Sequence, residues 1–162
     1  IVHTRELAFQ VKNEFERFKV YLQPTLNVHC VYGGVPLPEQ EKALAATPPH
    51  ILVACPGRLK LLMENKKVDL SRVKIFVIDE VDKVLEKTEM RADVQQIFFK
   101  TPKTKQTMVF SATLPPEMKA TVMKFVRNVR IREISMLTST TLDKSNRHSP
   151  ESTIVSGSHA IV

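Results

Sequence analysis

Two kinds of apolar spacing alternate along most of this 162-residue chain. From Thr4 to Leu22, apolar residues recur every three to four positions, which predicts an amphipathic helix. The segment from Asn27 to Tyr32 is instead a short β-prone run, closed by two glycines. The same reasoning predicts further strands at 50–55, 73–78, 106–110 and 131–134, and helices at 39–45, 58–64, 90–99 and 115–129, with one more beginning near residue 81.

Short strands that alternate with helices in this way predict an α/β fold, in which a parallel sheet is flanked by helices. The run at 73–78 is apolar on both faces except at Lys74, which is typical of a strand in the middle of such a sheet. Ligands bind these sheets at the carboxyl ends of the strands. We therefore expect the functional residues in the loops that follow the strands.

The alternating pattern stops at residue 134. Residues 135–162 are rich in Ser and Thr and show no periodic order of apolar positions, which predicts a disordered tail. The predicted organisation is one α/β unit over residues 1–134 and a tail over residues 135–162.

Composition narrows the class of protein. The chain has 24 Lys and Arg against 17 Asp and Glu, a net charge of +7, which favours a polyanionic partner such as nucleic acid, with scattered surface lysines as the alternative. It contains no apolar run of the length that crosses a bilayer, so we expect no membrane partner. Cys30 and Cys55 are its two cysteines and favour buried thiols over a disulfide framework.

The strongest local signal is Asp79-Glu80-Val81-Asp82, directly after an apolar strand. Two carboxylates at the edge of a sheet suit nucleotide hydrolysis, since the first can hold hydrated Mg²⁺ and the second can orient a water. The alternative is structural: Asp79 caps the helix that follows, and Glu80 lies favourably in its first turn. The motif alone does not decide between the two.

Other strand–helix junctions carry residues suited to a ligand, each with a plainer alternative. Thr4 and Arg5 open a helix whose free N–H groups suit a phosphate, or Thr4 is an ordinary N-cap. Gly33-Gly34 permits close approach of a ligand, or only a turn with positive φ. The loops Cys55-Pro56-Gly57-Arg58 and Ser111-Ala112-Thr113 are by themselves simple connections.

The order of these pieces on one α/β frame resembles the motif series of the first RecA-like lobe of DEAD-box RNA helicases, a P-loop NTPase fold. The motifs that carry the resemblance are HTRELAFQ (3–10), YGG (32–34), CPGRL (55–59), VIDEVD (77–82) and FSAT (110–113). His3, where most of the family has Pro, is similar to the subgroup that serves spliceosome assembly and, as the ATPase of the TREX complex, mRNA export. Residues 83–100 are similar to that subgroup as well.

The resemblance implies a role for each residue. Asp79 would bind Mg²⁺ through water, Glu80 would position or deprotonate the attacking water, and the expected cofactors are ATP and Mg²⁺. Asp82 would link to Ser111 and Thr113 and so couple hydrolysis to strand separation. An RNA track that contacts phosphates and riboses without reading bases is expected at Thr4, Arg5, Gly33, Gly34, Pro56, Gly57 and Arg58.

None of the four glycines begins a GxxxxGK[ST] phosphate loop, which would grip the β- and γ-phosphates. In the family that loop lies upstream of the HTREL helix, and a second lobe with an arginine finger lies downstream. We therefore expect a helicase fragment that lacks the phosphate-loop unit and is inactive alone, with a tail from an alternative exon, a frameshift or an unspliced intron. A chain that fails to fold, because a sheet edge is exposed, is a further alternative.

Two functional hypotheses follow. The first is part of an ATP-dependent RNA helicase for splicing and mRNA export, for which the resemblance implies splicing and export proteins as partners and a nuclear location, with the cytoplasm second. The second is a non-catalytic module that binds RNA or a helicase partner through residues 4–6, 33–34 and 56–58. Binding dominated by phosphate contacts would weaken steeply with salt.

Overall fold

The computed structural model describes residues 1–22, 25–113, 115–123, 125 and 154–155. Helices and strands alternate in these residues, which confirms the predicted α/β class. The elements in chain order are α1 (Arg5–Leu22), β1 (Val28–Val31), α2 (Leu37–Ala46), β2 (Ile51–Ala54), α3 (Pro56–Glu64), β3 (Ile75–Ile78), α4 (Val81–Glu86), α5 (Thr88–Lys100), β4 (Gln106–Phe110), α6 (Pro116–Val122) and β5 (Ile154–Val155).

All strand pairs in the described residues are parallel, as the sequence predicted. β1 pairs with β2, with Val28 opposite Ile51. β3 pairs with β4, which in turn pairs with the two-residue β5. Parallel strands need crossover connections. The β1–β2 crossover contains α2, and the β3–β4 crossover contains α4 and α5.

The first two residues connect the two groups of strands. The Ile1 amine donates to the Val77 carbonyl at 2.7 Å, and the Asp79 N–H donates back to the Ile1 carbonyl at 3.0 Å. On the other side, the Val2 N–H donates to the Ala54 carbonyl at 3.0 Å. Residues 1–2 therefore lie as a short extended segment between the carboxyl ends of β2 and β3.

In a chain whose first residue is Ile1, this burial makes stability depend on pH. Loss of hydration lowers the pKa of the Ile1 α-amine from 8.0 to about 6, although the charge of Asp79 opposes the change. Between these values the unfolded chain binds more protons than the folded chain, so the free energy of unfolding rises with pH, by up to roughly 3 kcal/mol. Chemical denaturation from about pH 5.5 to about pH 8.5 measures this rise. An equal rise in the N-acetylated chain, which keeps the N–H donor without the charge, would contradict the assignment.

Apolar side chains cover both faces of β2. Val53 packs with Val2 and Ala8 under α1, whereas its neighbour Ala54 belongs to the larger core on the opposite face. This alternation is the period of two expected of a strand with helices on both sides. The larger core contains buried side chains from β3, β4 and α2 to α6, including Leu44, Leu62, Ile78, Val84, Ile97, Val109 and Val122.

Two expectations about apolar segments were wrong. The helix predicted at 115–129 ends at Val122, because the chain turns there and buries Phe125 edge-on against Phe98, with ring centroids 5.3 Å apart. Ile75 is 56% exposed although its strand was expected to be covered on both faces: Phe76 and Ile78 are buried, but Ile75 lies on the opposite face of β3, which is only partly covered.

Other predictions fall on residues outside the described ranges. These are the strand at 131–134, the boundary at residue 134 and the tail, apart from Ile154 and Val155, which form β5. In the part of the chain that the structure describes, no helix has the length and apolar character to cross a membrane.

Candidate functional site

The carboxyl edge of the strands, meaning the loops that follow β1 to β4 together with residues 3–5, gathers the chemistry-bearing side chains. Gly33 and Gly34 lie in the loop after β1, and Pro56 opens α3 directly after β2. Asp79 and Glu80 follow β3, and residues 111–113 follow β4. Because parallel strands end on the same side of a sheet, the fold brings together the residues that the sequence singled out.

The loop after β3 has an unusual backbone conformation at Glu80, the residue after Asp79. Glu80 is the N-cap residue of α4 with φ 47° and ψ 53°, the left-handed region that non-glycine residues seldom occupy. The Asp79 carboxylate accepts a hydrogen bond at 2.9 Å from the N–H of Glu80, and no side chain caps the helix. The purely structural alternative, in which Asp79 caps α4, is therefore not what the structure shows.

His3 lies against the carboxylate of Glu80. Its Nδ1 is 3.1 Å from Glu80 Oε2, and the side chains are 25% and 46% exposed. In the sequence, His3 distinguishes a subgroup of the family but carries no predicted role. The one available signal was that His stands where most of the family has Pro.

Asp82 joins the loop after β4 to the start of α4. The Ser111 hydroxyl is 2.8 Å from Asp82 Oδ1, and the Thr113 hydroxyl donates to Asp82 Oδ2 at 3.2 Å. Ser111 is 4% exposed, and its single proton is shared between Asp82 and the Thr113 carbonyl, which is also within hydrogen-bond reach. The carboxylate therefore bridges two hydroxyls of one loop.

Removing this bridge should lower the stability of the fold, because Ser111 is buried. We expect Asp82→Ala to lower the free energy of unfolding by about 1–3 kcal/mol, since the buried Ser111 hydroxyl loses its carboxylate acceptor. Ser111→Ala removes the same bond from the other side, so the double variant should cost less than the sum of the two single variants. Urea denaturation of the four proteins measures the coupling, and strict additivity would contradict it.

A hydrogen-bond network braces the glycine turn. Arg58 Nη1 donates to the Val35 carbonyl at 2.9 Å and to Gln40 Oε1 at 3.0 Å, while Gln40 Nε2 donates to the Tyr32 carbonyl at 3.2 Å. Gln40 is 8% exposed and was missed by the sequence analysis, because nothing in the helical pattern of α2 marks it. Arg58 thus stabilises the glycine turn through these hydrogen bonds. It is also one of the residues at which the RNA track is expected.

Gly34 needs its freedom from a side chain for two reasons. Its φ is +89°, and a Cβ placed on it would lie 3.3 Å from Arg5 Nη1. The positive-φ turn is thus present at Gly34, and the Arg5 guanidinium lies beside it. Arg5 also forms an ion pair with Glu6 at 2.8 Å. Because both side chains are exposed, this pair contributes little to stability, and an anionic ligand can replace Glu6 as the partner of Arg5.

Thr4 and the 56–58 loop complete the edge. The Thr4 hydroxyl accepts a hydrogen bond at 3.2 Å from the N–H of Leu7, so the expected N-cap is present. Gly57 is exposed, whereas Pro56 is buried at the start of α3. Burial raises the pKa of the Cys55 thiol to about 11, so this thiol is protonated at neutral pH and does not supply a thiolate nucleophile.

The acidic residues fit a hydrated divalent cation. Within the described ranges, no three His, Cys, Asp or Glu side chains converge as a preformed metal cage. Mg²⁺ does not require such a cage, because it commonly binds through one or two carboxylates, several waters and substrate phosphates. Asp79 and Glu80, both partly exposed at the end of β3, suit that mode.

Helices on both faces of parallel strands, with acidic residues after a central strand, define a RecA-like α/β lobe. The sequence profile of the DEAD/DEAH box helicase family matches residues 1–122. The ATP-dependent RNA helicase SUB2 of Saccharomyces cerevisiae is 50% identical over 130 residues, which are 79% of this chain and 29% of SUB2. The ATP-dependent RNA helicase WM6 of Drosophila melanogaster is 48% identical over 126 residues, which are 78% of this chain and 30% of WM6.

A solved structure agrees with these sequence relatives. The hypothetical ATP-dependent RNA helicase from Sulfolobus tokodaii superimposes with a TM-score of 0.69 at 35% identity, covering 78% of this chain and 37% of that chain. The chain belongs to the DEAD/DEAH box helicase family. It spans about 30% of the length of the curated relatives it matches.

Proposed function

We propose that this chain forms the catalytic-carboxylate part of an ATP-dependent RNA helicase. The observation that carries the proposal is the close set of Asp79, Glu80 and Asp82, with Asp82 bonded to Ser111 and Thr113, at the carboxyl edge of a family lobe. Phosphoryl transfer to water needs charge neutralisation and a positioned water rather than a covalent nucleophile. Paired carboxylates at a sheet edge meet that need.

Asp79 and Glu80 have separate roles in this proposal. Mg²⁺, when bound with ATP, neutralises charge on the phosphates. Asp79 would hold the hydrated ion through water, and the hydrogen bond from the N–H of Glu80 fixes the orientation of its carboxylate. Glu80 orients the attacking water and accepts its proton.

Asp82 links this chemistry to the loop after β4. Its carboxylate is bonded to Ser111 and Thr113, while its backbone lies in the first turn of α4, directly after Glu80. A shift of either segment therefore moves the other. We assign this bridge to the coupling of hydrolysis to RNA strand separation.

RNA is the proposed partner along Thr4, Arg5, Gly33, Gly34, Pro56, Gly57 and Arg58. Gly33, Gly34 and Gly57 are exposed, so backbone N–H groups can approach phosphates closely. Arg5, whose guanidinium lies over Gly34, supplies the cation. The shape of the track depends on Pro56, which is buried, and on Arg58, which donates a hydrogen bond to the Val35 carbonyl.

We further propose that the 162 residues do not turn over ATP by themselves. The sequence contains no GxxxxGK[ST] motif to hold the β- and γ-phosphates, so nucleotide binding must draw on residues outside it. The resemblance of the HTRELAFQ motif, together with SUB2 and WM6 as relatives, supports a role in splicing and mRNA export, with protein partners from those processes. A mainly nuclear location fits that role.

A graft tests the proposed function. In this graft, residues 1–122 of the chain replace the aligned segment of S. cerevisiae SUB2, which supplies the rest of the helicase. We expect the graft to separate an RNA duplex when ATP is present and to be inactive without ATP. A graft that melts like SUB2 and binds ATP and RNA, yet separates no strands, would contradict the proposal.

The net charge of +7 favours the second candidate, an RNA-binding module without catalysis. Under either function, Arg5→Ala should weaken binding of single-stranded RNA to the full chain and reduce the salt slope by about 0.7, the loss of one phosphate contact. Arg72→Ala, which removes an exposed arginine from the loop before β3, is the matched control. Fluorescence anisotropy at several salt concentrations gives both quantities. Equal effects of the two substitutions would place the RNA elsewhere.

A further inference from the structure

The contact between His3 and Glu80 has no part in the roles assigned above. His3 Nδ1 is shielded from solvent and forms no aligned hydrogen bond. Glu80 Oε2 lies 3.1 Å from it, which is within hydrogen-bond distance. When a buried ring nitrogen faces a carboxylate oxygen, the contact is favourable if the nitrogen carries a proton. Without that proton, the lone pairs of the nitrogen and the oxygen would repel each other.

The backbone holds His3 in place from both sides. On one side, buried Val2 donates its N–H to the Ala54 carbonyl at the end of β2. On the other side, Thr4 caps α1 by accepting the N–H of Leu7. His3 therefore lies on a backbone segment that is held on both sides. A residue that positions another side chain needs such rigid support.

Glu80, in contrast, stands on a strained turn. Its left-handed φ of 47° costs free energy in a residue with a side chain, and such conformations persist where the surroundings hold them. The side chain is 46% exposed, so solvent alone would leave its carboxylate free to change rotamer. The His3 ring limits that freedom.

We propose that His3 is a positioning residue for Glu80: its Nδ1–H donates to Glu80 Oε2 and holds the carboxylate in the orientation that receives a proton from water. This inference rests on the proposed function, because it assigns the orientation of the base in that reaction. His3 itself contacts neither the water nor the nucleotide.

The tautomer of His3 gives a readout that does not depend on activity. In the full 162-residue chain, at a pH where the imidazole is neutral, we expect the proton on Nδ1, since the partner of a ring nitrogen decides which tautomer forms. Long-range ¹⁵N–¹H spectra of the ring distinguish the two tautomers. Removing the carboxylate with Glu80→Ala should deplete the Nδ1–H form. A ring protonated only on Nε2 in the unsubstituted chain would overturn the proposal.

Kinetics in the SUB2 graft give the second readout. We expect His3→Ala to lower kcat by about 10-fold with KM for ATP unchanged, because the base is mispositioned while ground-state binding is not affected. His3→Asn should recover most of the loss, since its amide N–H lies near the position of Nδ1–H, whereas His3→Gln should not. His29→Ala, a substitution on β1 away from this contact, is the control.

The outcomes separate this inference from the proposed function. In a Glu80→Gln background, His3→Ala should cause no further loss, because His3 acts through Glu80. An unchanged kcat in His3→Ala, or a rise in KM alone, would overturn the positioning role while leaving the helicase proposal intact. Undiminished turnover in Glu80→Gln itself would remove the proposed function.

Discussion

Glu80→Gln should reduce RNA-stimulated ATP turnover of the SUB2 graft by roughly 100-fold or more, the contribution expected of a general base. Glutamine keeps nearly the same shape and can still accept a hydrogen bond, but its amide does not take a proton from water. ATP binding should persist, since the substitution removes one charge and no bulk. A coupled phosphate-release assay measures turnover, and equilibrium nucleotide binding measures the ground state.

Glu86→Gln is the matched control for that substitution. Glu86 ends α4, six residues along the chain from Glu80, and is exposed. The same chemical change there should leave turnover unaltered. Equal losses in both variants would mean that the graft responds to charge in general, and a normal rate in Glu80→Gln would remove this residue from the reaction.

Asp82→Ala should separate strand unwinding from ATP hydrolysis. Asp82 bridges Ser111 and Thr113 to the start of α4, so its removal cuts the link between the loop and the carboxylates but leaves Asp79 and Glu80 in the chain. We expect duplex unwinding to fall by about 5- to 150-fold, the range of typical coupling free energies, with a smaller fall in ATP turnover. Parallel unwinding and phosphate-release assays on one preparation give the ratio.

Thr113→Val should cause a smaller loss of duplex unwinding than Asp82→Ala. It removes the weaker bond of the bridge, the one of 3.2 Å to an exposed hydroxyl, and keeps the 2.8 Å contact of Ser111. Its loss of unwinding should lie between those of the unsubstituted graft and Asp82→Ala. If hydrolysis and unwinding fall in equal proportion in both variants, Asp82 serves the chemistry itself and not its coupling.

The sequence predicted the strands well, because short β-prone runs such as Gln106–Phe110 and Ile51–Ala54 lie between turn residues and helical segments. Parallel pairing followed from the alternation with helices. The role of residues 1–2 was not predictable, since two residues carry no periodicity. Their place between β2 and β3 depends on hydrogen bonds to Ala54 and Val77, which only the folded chain brings near.

The candidate site shows the same division. Motif order pointed to Asp79, Glu80 and Asp82, and also to Ser111 and Thr113, which bond to Asp82 from a separate motif. Gln40 and His3 were given no role, because their partners are the Tyr32 carbonyl and Arg58 in one case and Glu80, 77 residues away, in the other. Contacts of that separation leave no local pattern in the sequence. The polar side chains that form them are therefore indistinguishable, in the sequence, from ordinary surface residues.

ATP turnover by the unsubstituted graft, measured with and without saturating RNA, shows directly whether this segment supports RNA-coupled hydrolysis. If residues 1–122 form the RNA-coupled hydrolysis edge of a helicase, RNA should raise turnover by about 5- to 150-fold. A graft that melts like SUB2 and binds both ligands, yet hydrolyses ATP at a rate that RNA does not change, would contradict the account.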